Sequence, residues 1–350
     1  MPREGRPITQ GELNRALLAR QQLLERTRAP IPRLLERMGG LQAQYAPSMY
    51  IGLWTRMEGF DRDQLDRALA RRSVSQGTLM RATIHLVSTA DYWPMAIGIR
   101  RARREAWVDG RARLGYAAKQ VSSAARKLRA RLGDGTMSRK EIHELLGGDS
   151  VITNGVNMWL DLVRVPPSGT WVRRRADLYA AAEHWIGPPP KIDEADGIEL
   201  LVRRYLGAFG PAAPAEIATW AGMHPRRLAP VIEGVSLRRF RSEDGTELVD
   251  LPRAPLPHPE TPAPARLLPT WDATLLVHAR RTGILPEEHR PKVFNAKTPQ
   301  SVPTFLVDGR VAGTWRYEKG KVKLEPFSRL DGAARRALRE ESERLVELHR

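Results

Sequence analysis

The residues best suited to chemistry are two carboxamides, Gln42 and Gln44, in the stretch Gly39-Gly40-Leu41-Gln42-Ala43-Gln44-Tyr45-Ala46-Pro47. In an extended chain alternate side chains share a face, so both amides would point into one space. Each offers N–H donors and a carbonyl acceptor without carrying charge. Such a pair can hold a water, or turn carbonyl oxygens toward a developing cation. A carboxylate would stabilise a cation more strongly, as it does in glycoside hydrolysis. Two neutral amides therefore suit a substrate that is already activated. On residue chemistry alone, capping in a helix–turn–helix is the simpler account, and the surrounding sequence has to decide.

The neighbouring elements must position the pair. Thr9 and Glu12 have capping-box spacing and open a helix with Leu13, Leu17 and Leu24 on one face. Ile31, Leu34, Leu35 and Met38 make a helical stripe that Gly39-Gly40 should stop. Pro47 begins a third helix carrying Tyr50, Leu53, Trp54 and Met57, and Asp61 with Gln64 opens a fourth. Residues 73–88 change period and read as a strand pair with a break at Gly77. Short helices followed by a hairpin make a winged helix, with the glutamines in its turn.

The pattern recurs twice. Ser138 and Glu141 cap a helix ended by Gly147-Gly148, Asp149 or Ser150 starts another, and residues 163–165 and 171–175 read as strands around a wing. After Pro188-Pro189-Pro190, apolar stripes at Leu201, Tyr205 and Phe209, at Ile217 and Trp220, and at Leu228, Val231 and Ile232 predict three helices. Residues 236–241 and 246–251 then flank the hairpin signal Asp244-Gly245. Between the first two units, Arg100, Arg101, Arg103 and Arg104 precede a helix with Val121, Ala125, Leu128 and Leu132 inward. Its Lys119, Arg126, Lys127, Arg129 and Arg131 read as contacts to a phosphate backbone, with a solvated face as the alternative.

Prolines spaced through 252–269 predict an extended linker. Beyond it, residues 274–278, 302–307, 310–317 and 321–327 alternate as strands, with Asp308-Gly309 and Lys319-Gly320 as turns. A terminal helix begins at Asp331, with Leu338, Leu345 and Leu348 inward. The expected divisions are 1–96, 97–187, 188–252 and 253–350, the last holding linker, β domain and terminal helix.

Composition narrows the function. In 350 residues, 41% hydrophobic and 28% charged, there is room for two or three globular cores. Fifty-seven Lys and Arg against 40 Asp and Glu leave a net charge of +17, which suits a polyanionic partner. The basic residues spread along the whole chain instead of lining one helix, so nucleic acid is favoured over a membrane surface. The chain has no cysteine, which excludes disulfides, thiolate nucleophiles and Cys-based zinc sites. Its eight histidines do not fall at helical ligand spacing, so neither metal nor other cofactor is expected. The first residues carry no apolar segment, and a cytoplasmic location is expected.

Several motifs carry a family likeness: Gly40-Leu41-Gln42-Ala43-Gln44-Tyr45-Ala46-Pro47-Ser48 with Gly52-Leu53-Trp54, and the run from Gly77 to Val87. So do Leu268-Pro269-Thr270-Trp271-Asp272 and the run from Val307 to Trp315. Through them the chain resembles the bacterial winged-helix DNA glycosylases of the AlkZ type, from about residue 10 to residue 327. The resemblance implies a mainly α, α+β fold: three tandem winged helices in a C-shape around duplex DNA, closed by a small antiparallel β domain. It implies a Gln–aliphatic–Gln active site, matched by Gln42-Ala43-Gln44, where a sister branch has Gln–aliphatic–Asp. The implied activity is hydrolytic excision of bulky N7-alkylated purines, including unhooking of interstrand crosslinks. Arg81 and His85 on the first wing, and Arg316 and Lys319 beside a C-terminal turn, are candidate DNA contacts. Trp271 and Trp315 read as core, and Asp272 as an exposed acid without a role. No lysine is near the glutamines in sequence, which disfavours a Schiff-base lyase. The alternative is a non-catalytic DNA-binding protein. Three dissimilar units argue against a two-fold-symmetric operator reader, so a monomer is expected.

Overall fold

A computed structural model describes residues 5–175, 177–275, 279, 281–294 and 300–350. The capping signals act where the sequence places them. Thr9 caps Gln10–Arg20 with Glu12 closing the box, Asp61 caps Arg62–Ala70, and Ser138 caps Arg139–Leu145. Gly39 ends Ile31–Met38 in the left-handed conformation, which only glycine enters without cost.

Helices followed by strand pairs recur in the expected order, but the first two groups share one sheet. Six antiparallel strands lie in the order Leu41–Gln42, Ile84–Ser88, Val74–Thr78, Leu162–Arg164, Leu178–Ala181, Met137–Ser138. Gln76 and Gly77 pair with Arg164 and Val163, joining the two hairpins edge to edge. Gly77 is no break in its strand. A Cβ there would lie 2.5 Å from the ring of the buried Tyr92, so glycine lets the next helix pack on the sheet. The second strand of the second hairpin is Leu178–Ala181; the alternation at 171–175 lies in the connection, where Val172 is 90% exposed.

The third group, helices Glu194–Phe209, Pro214–Ala221 and Ala229–Gly234 with strands Arg238–Ser242 and Glu247–Asp250, also takes up Arg6–Ile8 as a parallel edge strand. Helix Glu194–Phe209 crosses helix Thr89–Arg111 at Gly98 and Gly197, where a Cβ on Gly98 would sit 2.6 Å from the facing backbone. Arg204 clamps Asp91 between the same helices at 2.7 and 2.8 Å. A single apolar core runs through this crossing from Leu17 to Trp220.

Arg100, Arg101, Arg103 and Arg104 precede helix Ala118–Leu132 as expected, and they are themselves part of a helix, Thr89–Arg111. Arg100 and Arg103 grip Asp161 at 2.9 and 2.5 Å, Arg101 bonds Glu105, and Arg104 donates to the carbonyls of Met158 and Trp159. Helix Ala118–Leu132 buries Val121, Ala125, Leu128 and Leu132 and leaves its basic face outward.

Near the C-terminus, Arg266–Leu268, Thr304–Val307, Arg310–Glu318 and Lys321–Pro326 form a four-stranded antiparallel sheet backed by helix Gly332–His349. Both residues of each expected turn, Asp308-Gly309 and Lys319-Gly320, have positive φ, as a tight hairpin requires. Of the strand expected at 274–278, Ala273–Leu275 is a 3-10 turn, and 276–278 lie outside the described residues. Trp315 is core and donates its indole N–H to Leu268, while Trp271 is partly buried against the main core. Asp272 is a buried partner of Arg56, at 2.8 and 2.9 Å with both side chains fully inaccessible. Burial alone would raise its carboxyl, but Arg56 and two hydrogen bonds from Thr274 hold it below the usual range.

Candidate active site

Gly39 and Gly40, both at positive φ, turn the chain out of helix Ile31–Met38 and onto the sheet edge. Gly40 fits there because it lies against Val87; a Cβ would meet that side chain at 2.9 Å. Leu41 then pairs with Leu86 and Gln42 with His85, and the Ala43 N–H donates to the Ile84 carbonyl at 2.7 Å. Gln42 thus lies on a strand and not in a turn. Helix Ala46–Arg56 follows at once, with Pro47 in its first turn. Ala43 is buried between the glutamines; the strand ends at Gln42, and Gln44 follows in a bend where Nε2 of Gln42 donates to its Oε1. Gln42 is 5% exposed, whereas Gln44 faces solvent.

Arg81 closes one side. It occupies the tip between the strands of the first hairpin, with φ of 52° at Arg81 and 55° at Ala82. Its Nη1 donates to the Trp220 carbonyl at 2.5 Å, and its Nη2 approaches Oε1 of Gln42 at 3.5 Å. Burial lowers its pKa to about 10, so it stays charged at neutral pH. Gly222 admits this tip, since a Cβ there would lie 2.8 Å from the Arg81 nitrogen.

His85 corrects its expected role as a DNA contact. It is 2% exposed, and its Nδ1 lies 3.1 Å from the Thr83 carbonyl. A carbonyl only accepts, so Nδ1 carries the proton. Burial, and next the Arg81 charge, push its pKa down to about 3, against the pull of that hydrogen bond. A neutral, enclosed imidazole offers no phosphate contact; it is the cross-strand neighbour of Gln42.

Arg316 lies on a strand of the four-stranded sheet and Lys319 in the turn that follows it. Arg316 pairs with Glu318 and Glu325, and Lys319 is exposed in its turn. Among the described residues no hydrogen bond or ion pair joins either to the glutamines.

Three neighbours of the site escaped the sequence reading. Arg164, flanked by Val163 and Val165, reaches from the second hairpin to the Ala43 carbonyl at 3.3 Å. Trp220 supplies the carbonyl that seats Arg81, and Arg174 donates to the exposed Tyr45 hydroxyl at 3.4 Å. A charged residue between two apolar strand positions was the one available signal, and it pointed at Arg164. Among the described residues, no hydrogen bond of the amide pair goes to a carboxylate.

A strongly basic chain of helix-and-hairpin groups around a neutral amide pair describes an enzyme that acts on DNA. Residues 35–348 match the family described as DNA glycosylase AlkZ-like, and the chain belongs to it. Its members hydrolyse N-glycosyl bonds, which sets aside the non-catalytic alternative. A relative, the interstrand DNA cross-link repair glycosylase of Streptomyces sahachiroi, is 23% identical over 340 residues, covering 89% of this chain and 88% of its own. The solved structure of the Streptomyces sahachiroi DNA glycosylase AlkZ shares the fold, with a TM-score of 0.82 at 20% identity across 98% of this chain and 96% of that one.

Proposed function

We propose that this chain is a monofunctional glycosylase that excises cationic N7-alkylated purines from duplex DNA and unhooks crosslinks built on them. The observation that carries the reading is the neutral pair itself, Gln42 and Gln44 joined amide to amide without a carboxylate partner. An N7-alkylated purine carries positive charge, so its glycosidic bond is weak and its leaving group needs no acid. What remains is to hold a water and to stabilise the cation growing on the sugar. Positioned dipoles supply several kcal/mol for such a step. Ordinary bases, which leave as poor anions, would gain too little from two amides. The cross-link activity named for the Streptomyces sahachiroi relative supports extending the substrate to crosslinks. The protein acts in the cytoplasm as a monomer on duplex DNA, through winged-helix units divided near 96, 187 and 252. Arg316 and Lys319 contact the duplex beside their turn.

The test is release of free base from a duplex holding one N7-methylguanine, beside a duplex with a neutral ethenoadenine. Gln42→Ala and Gln44→Ala should each slow release of N7-methylguanine at least tenfold, about 1.4 kcal/mol of barrier. The wild type should leave ethenoadenine untouched. Equal excision of both lesions would overturn the reading, as would variants as fast as the wild type.

A further inference from the structure

We propose that Arg81 is a positioning residue that sets the direction of a hydrogen-bond relay, so that Gln44 alone meets the substrate while Gln42 acts from behind. The inference rests on the amide-pair reading above and deepens it.

A guanidinium has donors only. Facing Arg81 at 3.5 Å, Gln42 must present Oε1, which leaves its Nε2 to donate to Oε1 of Gln44. The orientation of an amide is otherwise a choice between two similar fits; here the chemistry of its neighbour fixes it. Burial assigns the ends of the relay, with Gln42 enclosed and Gln44 open to solvent. The Gln42 carbonyl is thus engaged, and the free lone pair and N–H groups of Gln44 face the substrate. A cation at the head of such a chain polarises each amide in turn.

Arg81 is built to stay there. Its other donor is anchored on the Trp220 carbonyl at 2.5 Å, and Gly222 brings the third group's backbone against its own. The most deeply buried arginines have aspartate partners: Arg20 with Asp250, Arg56 with Asp272 and Arg103 with Asp161. Among the described residues Arg81 has no carboxylate partner, so its charge is aimed undiluted at the amide.

The free protein decides the point through its side-chain amide spectrum, the Gln42 and Gln44 resonances being identified by their loss in Gln42→Ala and Gln44→Ala. Arg81→Met should move both sets, and so should Gly222→Ala, which keeps the charge but displaces the tip. Excision of N7-methylguanine from a duplex should fall at least tenfold in Arg81→Met, with duplex Kd within threefold, and Arg81→Lys should recover part of the rate. Amide resonances unmoved by Arg81→Met overturn the relay. So does a rate loss that merely follows a loss of duplex affinity, the behaviour of a phosphate clamp. A wild type that releases no base would sink the assigned reaction, while the spectra would still judge the relay.

Discussion

At the scale of single residues, the site is an arrangement of groups that cannot all be charged at once. Arg81 holds its proton, and its neighbour His85 is driven neutral by enclosure and by that charge. The linkage has a definite sign. The folded-state pKa of His85, about 3, lies below its unfolded value of 6.5, so the unfolded chain binds the proton first. Stability contributed by neutral His85 is complete above pH 6.5 and is lost as pH falls from 6.5 toward 3. At pH 5 this amounts to about 2 kcal/mol relative to pH 7. His85→Asn, which can still donate to the Thr83 carbonyl, should show a flatter stability profile between pH 7 and 5 by chemical denaturation. Parallel profiles for variant and wild type would mean that His85 titrates normally in the fold. The closeness of the two glutamines was legible in sequence because one residue separates them after a double glycine, although the strand ends at Gln42 and Gln44 lies in the bend beyond it. The burial of His85 was not, because it depends on Leu41–Gln42 pairing with Ile84–Ser88 across some forty residues. Asp272 was unreadable for the same reason, since its partner Arg56 lies more than two hundred positions earlier.

At the scale of elements, local chemistry made boundaries readable and long-range pairing made register unreadable. Caps, double glycines and tight-turn dipeptides located the helices and most hairpins. They could not show that two hairpins merge through Gln76 and Gly77, or that the second closes on Leu178–Ala181. Likewise the arginines at 100, 103 and 104 have the spacing of one helix face, which reads as a basic surface until Asp161 is seen beneath it. The element that matters most for the site is the crossing of Thr89–Arg111 over Glu194–Phe209, because it holds the third group, and so Trp220, against Arg81. Gly98→Ala would push a methyl to 2.6 Å from the backbone of Gly197, where no flexible side chain can yield. The expected cost is about 1–3 kcal/mol of stability, measured by denaturant unfolding. Excision should suffer beyond that loss, at temperatures where the variant is still folded, because the seat of Arg81 shifts with the third group. Full activity in a folded Gly98→Ala would show that the crossing does not set the site.

At the scale of the whole molecule, the net charge of +17 has to be divided between interior and surface. Several arginines are consumed within: Arg20, Arg56, Arg103 and Arg204 are buried or half-buried and paired with aspartates. Those pairs are neutral in sum and do nothing for a polyanion. Part of the excess stays inside, as at Arg81, and part lies on outward faces such as that of helix Ala118–Leu132, where Lys119, Arg126 and Arg131 point to solvent. A surface of this kind binds duplex DNA by displacing condensed counterions. The logarithm of the affinity then falls linearly with the logarithm of salt, by about 0.9 for each phosphate neutralised. If about six phosphates are engaged, affinity for an undamaged duplex should drop roughly a thousandfold between 50 and 200 mM salt. Replacing Lys119, Arg126 and Arg131 together by Gln should make that slope shallower by about the number of these residues that touch phosphate. Release of base from an already saturated duplex should stay as fast as in the wild type. An unchanged slope would move the DNA to another face of the molecule. A slowed release at saturation would mean that the outer charges also shape the site, so that binding and chemistry are not separable.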